Sequence, residues 1–348
     1  MPPRYLTSLN LRDFIQSAHE VPYQKIDSDL FPGIELWIRR DDLLDPLISG
    51  NKAYKLIYNL IEAREQGADT LITCGGAWSN HIYATAAAGA RFGFKTQGII
   101  HGERPPVLSA TLRDAERFGM QLRFVTREQY RLRHCADFLE RLEIDRSGAT
   151  YIPEGGSNLA GARGVALLGK VIEAASPIDF DQVWLACGTG VTLAGLLSTA
   201  GRYCSVHGIE VLKAGDLIRR DTQHWLKAIQ RPECPKASKP LPPGEGPGEG
   251  AQGAPEQFMH SNYHCGGYAK CPDYLRRFQR TFERQTGVPL DPVYTAKLLY
   301  GLQRAVDSGR IPPGSRVLAL HSGGLQGGGR GYQQLKRSKI AILDSFLL

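Results

Sequence analysis

The apolar positions of this chain change period several times, and each change marks an element. Ile34-Glu35-Leu36-Trp37-Ile38 alternates, is rich in strand formers and follows the turn signal Phe31-Pro32-Gly33, which predicts a strand. The charged run Arg39-Arg40-Asp41-Asp42 ends it and reads as a local ion-pair cluster. From Gly50 the spacing becomes helical. Leu56, Ile57, Leu60, Ile61 and Ala63 recur on one face, Ser49 or Asn51 can cap the start, and Gly67 supplies a stop. Residues 70–74 predict a short buried strand running into Gly75-Gly76, and the Ala-rich stretch 83–90 a helix after Ser79-Asn80. Strands at 95–100 and 121–125 alternate with helices at 108–118 and 129–142. A second run begins near Gly161, with a helix at 165–175, a buried strand at 182–186, a helix after it and a strand at 205–211. Helices at 272–286 and 295–307 and a strand at 316–320 complete the pattern. This alternation predicts an α/β chain with parallel sheet covered on both faces. The break near residue 160 predicts two sheet-containing lobes, with the first 50 or so residues packing on the second.

Residues 233–256 stand outside the pattern, being dense in Pro and Gly with almost nothing to bury, and read as a flexible insertion. Across 348 residues, 42% hydrophobic and 22% charged describe an ordinary globular chain. The net charge of +7 is spread along the sequence, too mild and dispersed to indicate nucleic acid. The basic run Lys336-Arg337-Ser338-Lys339 reads as a solvated face. Seven cysteines without framework spacing, and an N-terminus without a charged segment and apolar run, predict reduced thiols in a cytoplasmic protein. No run approaches the roughly 18 apolar residues of a membrane span.

The candidate chemistry lies where strands run into helices. Cys187-Gly188-Thr189-Gly190-Val191-Thr192-Leu193-Ala194-Gly195 follows a strand and opens a helix. Its backbone N–H groups and the Thr189 and Thr192 hydroxyls can converge on a phosphate where the helix dipole is positive. A dinucleotide fingerprint would need a glycine at Leu193, and a Walker loop would need Gly-Lys-Ser/Thr. Gly75-Gly76-Ala77-Trp78-Ser79-Asn80-His81 lies at a similar junction, where Ser79 is equally a plain N-cap. Lys52 follows the Gly50-Asn51 turn just inside a predicted helix. A lone lysine there signals little. A lysine, a phosphate loop, a Gly-Gly-x-x-Ser-Asn loop and Ser322 before Gly323-Gly324 together match what pyridoxal 5′-phosphate needs: an amine for its aldehyde, a cradle for its phosphate and a partner for its ring nitrogen. His264, Cys265 and Cys271 fit no zinc spacing, so no metal is expected. A serine-hydrolase elbow is absent.

Gly50-Asn51-Lys52 with Lys55-Leu56 resembles the cofactor-lysine segment of the 1-aminocyclopropane-1-carboxylate deaminase/D-cysteine desulfhydrase family. The likeness continues through residues 67–71, 75–80 and 188–195, through Leu290-Asp291-Pro292-Val293-Tyr294-Thr295 with Lys297, and through His321-Ser322-Gly323-Gly324. The resemblance implies a two-lobed, three-layer αβα, tryptophan synthase β-like fold, called fold type II. Residues 1–52 and 161–348 would form the large cofactor-binding domain and 53–160 the small one. Lys52 would bind pyridoxal phosphate as a Schiff base and act as a base. Asn80 would bond the ring phenolate, and Ser79 the substrate carboxylate. Gly188, Thr189, Gly190, Val191 and Thr192 would hold the phosphate, Tyr268 and Tyr294 would meet the substrate, and Ser322 would face the pyridine nitrogen. The resemblance also implies a small amino-acid substrate and a homodimer.

Departures from the pattern bear on substrate. The deaminases proper carry glutamate directly after the tyrosine, where this chain has Thr295, as the desulfhydrases do. Trp78 replaces the usual glutamine. The expected activity is a lyase, deaminase or hydrolase reaction, most simply α,β-elimination from D-cysteine to pyruvate, ammonia and sulfide. The alternatives are the cyclopropane deaminase reaction, and a cofactor-binding protein with little catalysis.

Overall fold

A computed structural model of the chain describes residues 6–231 and 259–325. The expected insertion at 233–256 and the basic run at 336–339 lie outside them. The strands are β1 (Tyr23–Ile26), β2 (Glu35–Arg39), β3 (Thr70–Gly75), β4 (Lys95–His101), β5 (Gln121–Val125), β6 (Ala149–Ile152), β7 (Gln182–Cys187), β8 (Ser205–Glu210), β9 (Met259–His260) and β10 (Arg316–Leu320). They form two sheets. One has six strands in the order β1-β2-β10-β7-β8-β9, and the other four in the order β5-β4-β3-β6. Among the described strands only β1 runs antiparallel to its neighbour.

Side-chain alternation divides the larger sheet's two faces. Val183, Leu185 and Cys187 of β7, with Leu318 and Leu320 of β10, join one core. There they meet Leu56 and Leu60 from the Asn51–Glu65 helix, Val165 and Leu168 from Leu159–Ala175, and Leu193 and Leu196 from Val191–Thr199. The intervening Trp184, Ala186, Val317 and Ala319 face a second core, built with Phe278 and Phe282 from Asp273–Thr286 and Leu298 and Leu302 from Thr295–Asp307. A period of two in a strand buried on both faces produces this helix–sheet–helix layering. The smaller sheet is covered likewise, with Ile72, Cys74 and Ile99 over Phe138 and Leu142, and Ile100 against Ile82, Leu112 and Ala115.

The helix expected over 129–142 is broken. Thr126 caps Arg127–Arg131, a 3-10 turn follows at Leu132–His134, and a new helix starts at Phe138–Arg141. Cys135 between them is extended (φ −79, ψ 143). The break lets Tyr130, Phe138, Leu139 and Leu142 all reach the small-sheet core. Two amphipathic helices, Leu11–His19 and Leu217–Gln230, and strand β6 escape the periodicity reading.

Candidate active site

The lysine's mount begins in the charged run. Arg39 and Asp41 form a fully buried pair at 3.1 Å, Tyr54 Oη donates to Asp41 at 3.0 Å, and Arg39 donates to the Ala18 carbonyl at 2.6 Å. The ion-pair cluster is therefore a framework that packs the 41–50 loop onto the helix carrying Lys52. The Asp41 carbonyl accepts the Gly50 N–H at 2.9 Å. Gly50 has φ 66, and a Cβ there would lie 2.0 Å from the Ser322 carbonyl oxygen. Only glycine lets this turn rest directly on the Ser322–Gly323 segment. Asn51 opens the helix and donates to Thr192 Oγ1 at 3.1 Å, joining the lysine turn to the glycine loop 141 positions later. Lys52 Nζ donates to Asn51 Oδ1 at 3.0 Å. Burial pushes its amine down to about 8, against a pull upward from Asp291.

The glycine loop leaves β7 and enters Val191–Thr199 through Gly190, which is left-handed at φ 72. A Cβ on Gly190 would sit 2.7 Å from the Ile218 carbonyl and Thr222 Oγ1, and one on Gly188 would sit 3.5 Å from the Tyr294 ring. Val191 is fully buried at the helix start and Leu193 fills the core. Lys55, one turn after Lys52, donates to the Gly155 carbonyl at 3.1 Å and reaches Thr189 Oγ1 at 3.5 Å. Burial, and then Lys52, hold its amine well below the lysine range. His81 is buried beside it with neither ring nitrogen hydrogen-bonded. A Cβ on Gly156 would touch both Lys55 and the His81 ring, at 3.1 and 3.4 Å.

The desolvated Lys55 amine, the unbonded His81 imidazole, the Thr189 and Thr192 hydroxyls and a helix start thus come together with no bond to an anion among those above, beside the Lys52 amine that Asp291 influences. They fit the phosphate of pyridoxal phosphate, because a dianion there would satisfy the donors and relieve the desolvated charge. Lys55 and His81 were not anticipated as part of this cradle. The spacing i, i+3 from Lys52 was the available signal for Lys55.

The remaining expected residues join the same region. Ser79 does cap Asn80–Phe92, its Oγ accepting the Ile82 N–H at 3.3 Å. A Cβ on Gly324 would lie 2.6 Å from Asn80 Nδ2 and 3.1 Å from Asp291 Oδ2, so Gly324 packs directly against both residues. Asp291 accepts the backbone N–H groups of Val293 and Tyr294 at 2.8 and 2.7 Å. Burial pushes its carboxyl up to about 7. The Tyr294 phenol is raised well above its usual value by burial, with Tyr268, Asp291 and Glu154 adding to it. Tyr268 remains 42% exposed, as does Trp78. Ser322 is half-buried. His321 ties several segments together: its Nε2 lies 2.7 Å from the Pro289 carbonyl, and its Nδ1 lies 3.3 Å from the Gly323 nitrogen and 3.4 Å from Asp42 Oδ1.

Residues 21–323 match the family described as pyridoxal-phosphate dependent enzyme. The chain belongs to that family and is a pyridoxal-phosphate-dependent enzyme of fold type II. Within it, the chain is a member of the 1-aminocyclopropane-1-carboxylate deaminase/D-cysteine desulfhydrase family. It is 30% identical, over 85% of its length and 73% of the relative's, to the bifunctional D-cysteine desulfhydrase/1-aminocyclopropane-1-carboxylate deaminase, mitochondrial, of Arabidopsis thaliana. It is 29% identical to a Pyrococcus horikoshii protein provisionally described as a 1-aminocyclopropane-1-carboxylate deaminase, covering 85% of this chain and 86% of that one. A crystal structure of an ACC deaminase homologue superposes with TM-score 0.72 at 27% identity, over 91% of this chain and 93% of its own. A hydrogen sulfide-producing enzyme from Fusobacterium nucleatum shares the fold at TM-score 0.58 and 15% identity, over 92% of this chain and 98% of its own. These relatives are described as deaminases and as a desulfhydrase, so the expectation of a hydrolase does not stand.

Proposed function

We propose that the chain eliminates the β-substituent of a small D-amino acid, with D-cysteine and one water going to pyruvate, ammonia and sulfide. The observation that carries this reading is Thr295. Its hydroxyl donates to the Asp291 carbonyl at 3.2 Å and accepts the Asp291 N–H at 2.7 Å, so a closed local bond stands where the deaminases proper carry a carboxylate. Bound pyridoxal phosphate supplies the electron sink for the Cα–H bond pair. Lys52 Nζ, its pKa lowered to about 8, is free base in a usable fraction near neutrality and takes the α-proton. Ser79, at a helix N-terminus, orients the substrate carboxylate, and Asn80 the ring phenolate oxygen. Gly188, Thr189, Gly190, Val191 and Thr192, with Lys55, hold the phosphate. Tyr268 and Tyr294 flank the substrate. Ser322 offers the pyridine nitrogen a neutral hydroxyl, which does not keep that nitrogen protonated as a carboxylate would. Weaker electron withdrawal suits prompt loss of sulfide over opening of an unactivated ring.

We assign residues 1–52 and 161–348 to the cofactor-binding domain and 53–160 to the small domain, supported by the strand membership of the two sheets. A homodimer follows from the family likeness.

The test is a panel of D- and L-amino acids with 1-aminocyclopropane-1-carboxylate, read as keto acid and sulfide. Pyruvate and sulfide from D-cysteine are expected, and Lys52→Ala is expected to abolish turnover and the visible absorption of the lysine-bound cofactor. Full turnover in that variant, or selective release of a four-carbon keto acid from the cyclopropane substrate, would overturn the reading. Trp78, exposed at the Ser79 loop, favours a second reading, a cofactor-binding protein with little catalysis. It would be supported by an intact cofactor band with no turnover across the panel.

A further inference from the structure

Lys297 is fully buried, in the first turn of Thr295–Asp307. An ammonium there is doubly unfavourable, being removed from water and placed at the positive end of a helix dipole. It makes two hydrogen bonds, to the Gly267 carbonyl at 2.8 Å and to the Val211 carbonyl at 3.2 Å. The first acceptor lies in a strained loop. Cys265 and Ala269 hold φ values of 51 and 55, left-handed for residues that carry a Cβ, and Gly266 and Gly267 between them have φ 94 and 115. Such a run persists only where the surroundings over-determine it. The second acceptor directly follows β8, in the floor of the large sheet. One ammonium therefore ties a strained loop to a rigid strand, and the next residue in that loop is Tyr268.

We propose that Lys297 is a positioning residue for substrate, holding the 263–271 loop on the sheet and thereby setting Tyr268 at the substrate. The same helix presents Tyr294 at its N-cap, so both tyrosines are referenced to one element. The inference rests on the assignment of Tyr268 to substrate made above, and its test separates the two.

Holoenzyme carrying Lys297→Met, Tyr268→Phe or both would be compared for D-cysteine kinetics and for amide exchange over residues 263–271. Lys297→Met is expected to keep the cofactor band and to lower kcat/KM about tenfold or more, chiefly through KM. The double variant should be no worse than the poorer single one to within about twofold, because both changes act through one side chain. Exchange over 263–271 should accelerate in Lys297→Met while that of Leu159–Ala175 stays unchanged. Lys297→Gln, which retains a donor, replaces Met if that protein does not fold, and should show the same pattern in milder form. Multiplicative losses in the double variant, or unchanged loop exchange, would overturn the tether. Tyr268→Phe with undiminished kcat/KM would instead remove Tyr268 from the substrate site, and the exchange measurement would still decide whether Lys297 holds the loop.

Discussion

At the scale of single residues, the site is set by desolvation acting on amines one helical turn apart. Burial penalises the charged form of Lys52 and lowers its amine from the usual lysine value to about 8. In cofactor-free protein, capture of added pyridoxal phosphate should therefore rise with pH to a midpoint near about 8, followed by absorbance. A midpoint above about 10 would mark an ordinary solvated lysine. Between the folded value and the unfolded one near 10.4, the unfolded chain binds the extra proton, so Lys52's contribution makes the apoprotein more stable as pH rises through that window. Little of this was visible in the letters. Lys52 in isolation resembles any helix-start lysine, and the i, i+3 spacing of Lys55 does not say that its amine lies against Thr189. Gly50 was legible as a turn, while the reason for glycine there, the Ser322 carbonyl against its Cα, comes from a segment 272 positions away, counting 322 − 50.

At the scale of elements, the helices behind the lysine are held at a close crossing. Gly164 in Leu159–Ala175 would place a Cβ 1.8 Å from the Tyr54 carbonyl, in the helix that carries Lys52. Gly164→Ala should push those helices apart. A loss of about 1–3 kcal/mol is expected, typical of overpacking, together with weaker cofactor binding as the lysine shifts. Thermal unfolding and a cofactor titration measure the two, and a wild-type Tm would refute the close crossing. Element types were readable wherever the period was sustained, as in β3, β4, β7 and β10. The broken 127–141 segment was not, because its apolar residues recur at helical spacing while Cys135 adopts an extended conformation to bring them onto one small core.

At the scale of the whole molecule, the cradle draws on both sheets. Lys55 reaches Gly155, which follows β6 of the small sheet, and Thr189, which follows β7 of the large one. A ligand bridging such a cleft stabilises the assembled state alone. Pyridoxal phosphate should accordingly raise the Tm of the apoprotein saturably, by an amount equivalent to about 2.7 kcal/mol at a hundredfold excess over its Kd. Calorimetry with and without cofactor checks this, and an unchanged Tm would argue that the cradle does not assemble around it.

The sequence by itself determined the alternation of strands and helices, the two strand-to-helix glycine loops and the family, because period, turn chemistry and motif order are local properties of the chain. The tertiary structure alone decided how the parts meet. It joined Asn51 to Thr192, laid Gly50 on Ser322, set Gly324 against Asn80 and Asp291, and buried Lys297 under the Tyr268 loop. Each of these depends on long-range packing that strips water from a charged or polar group, and hydration is a property of the assembled fold that no local pattern records.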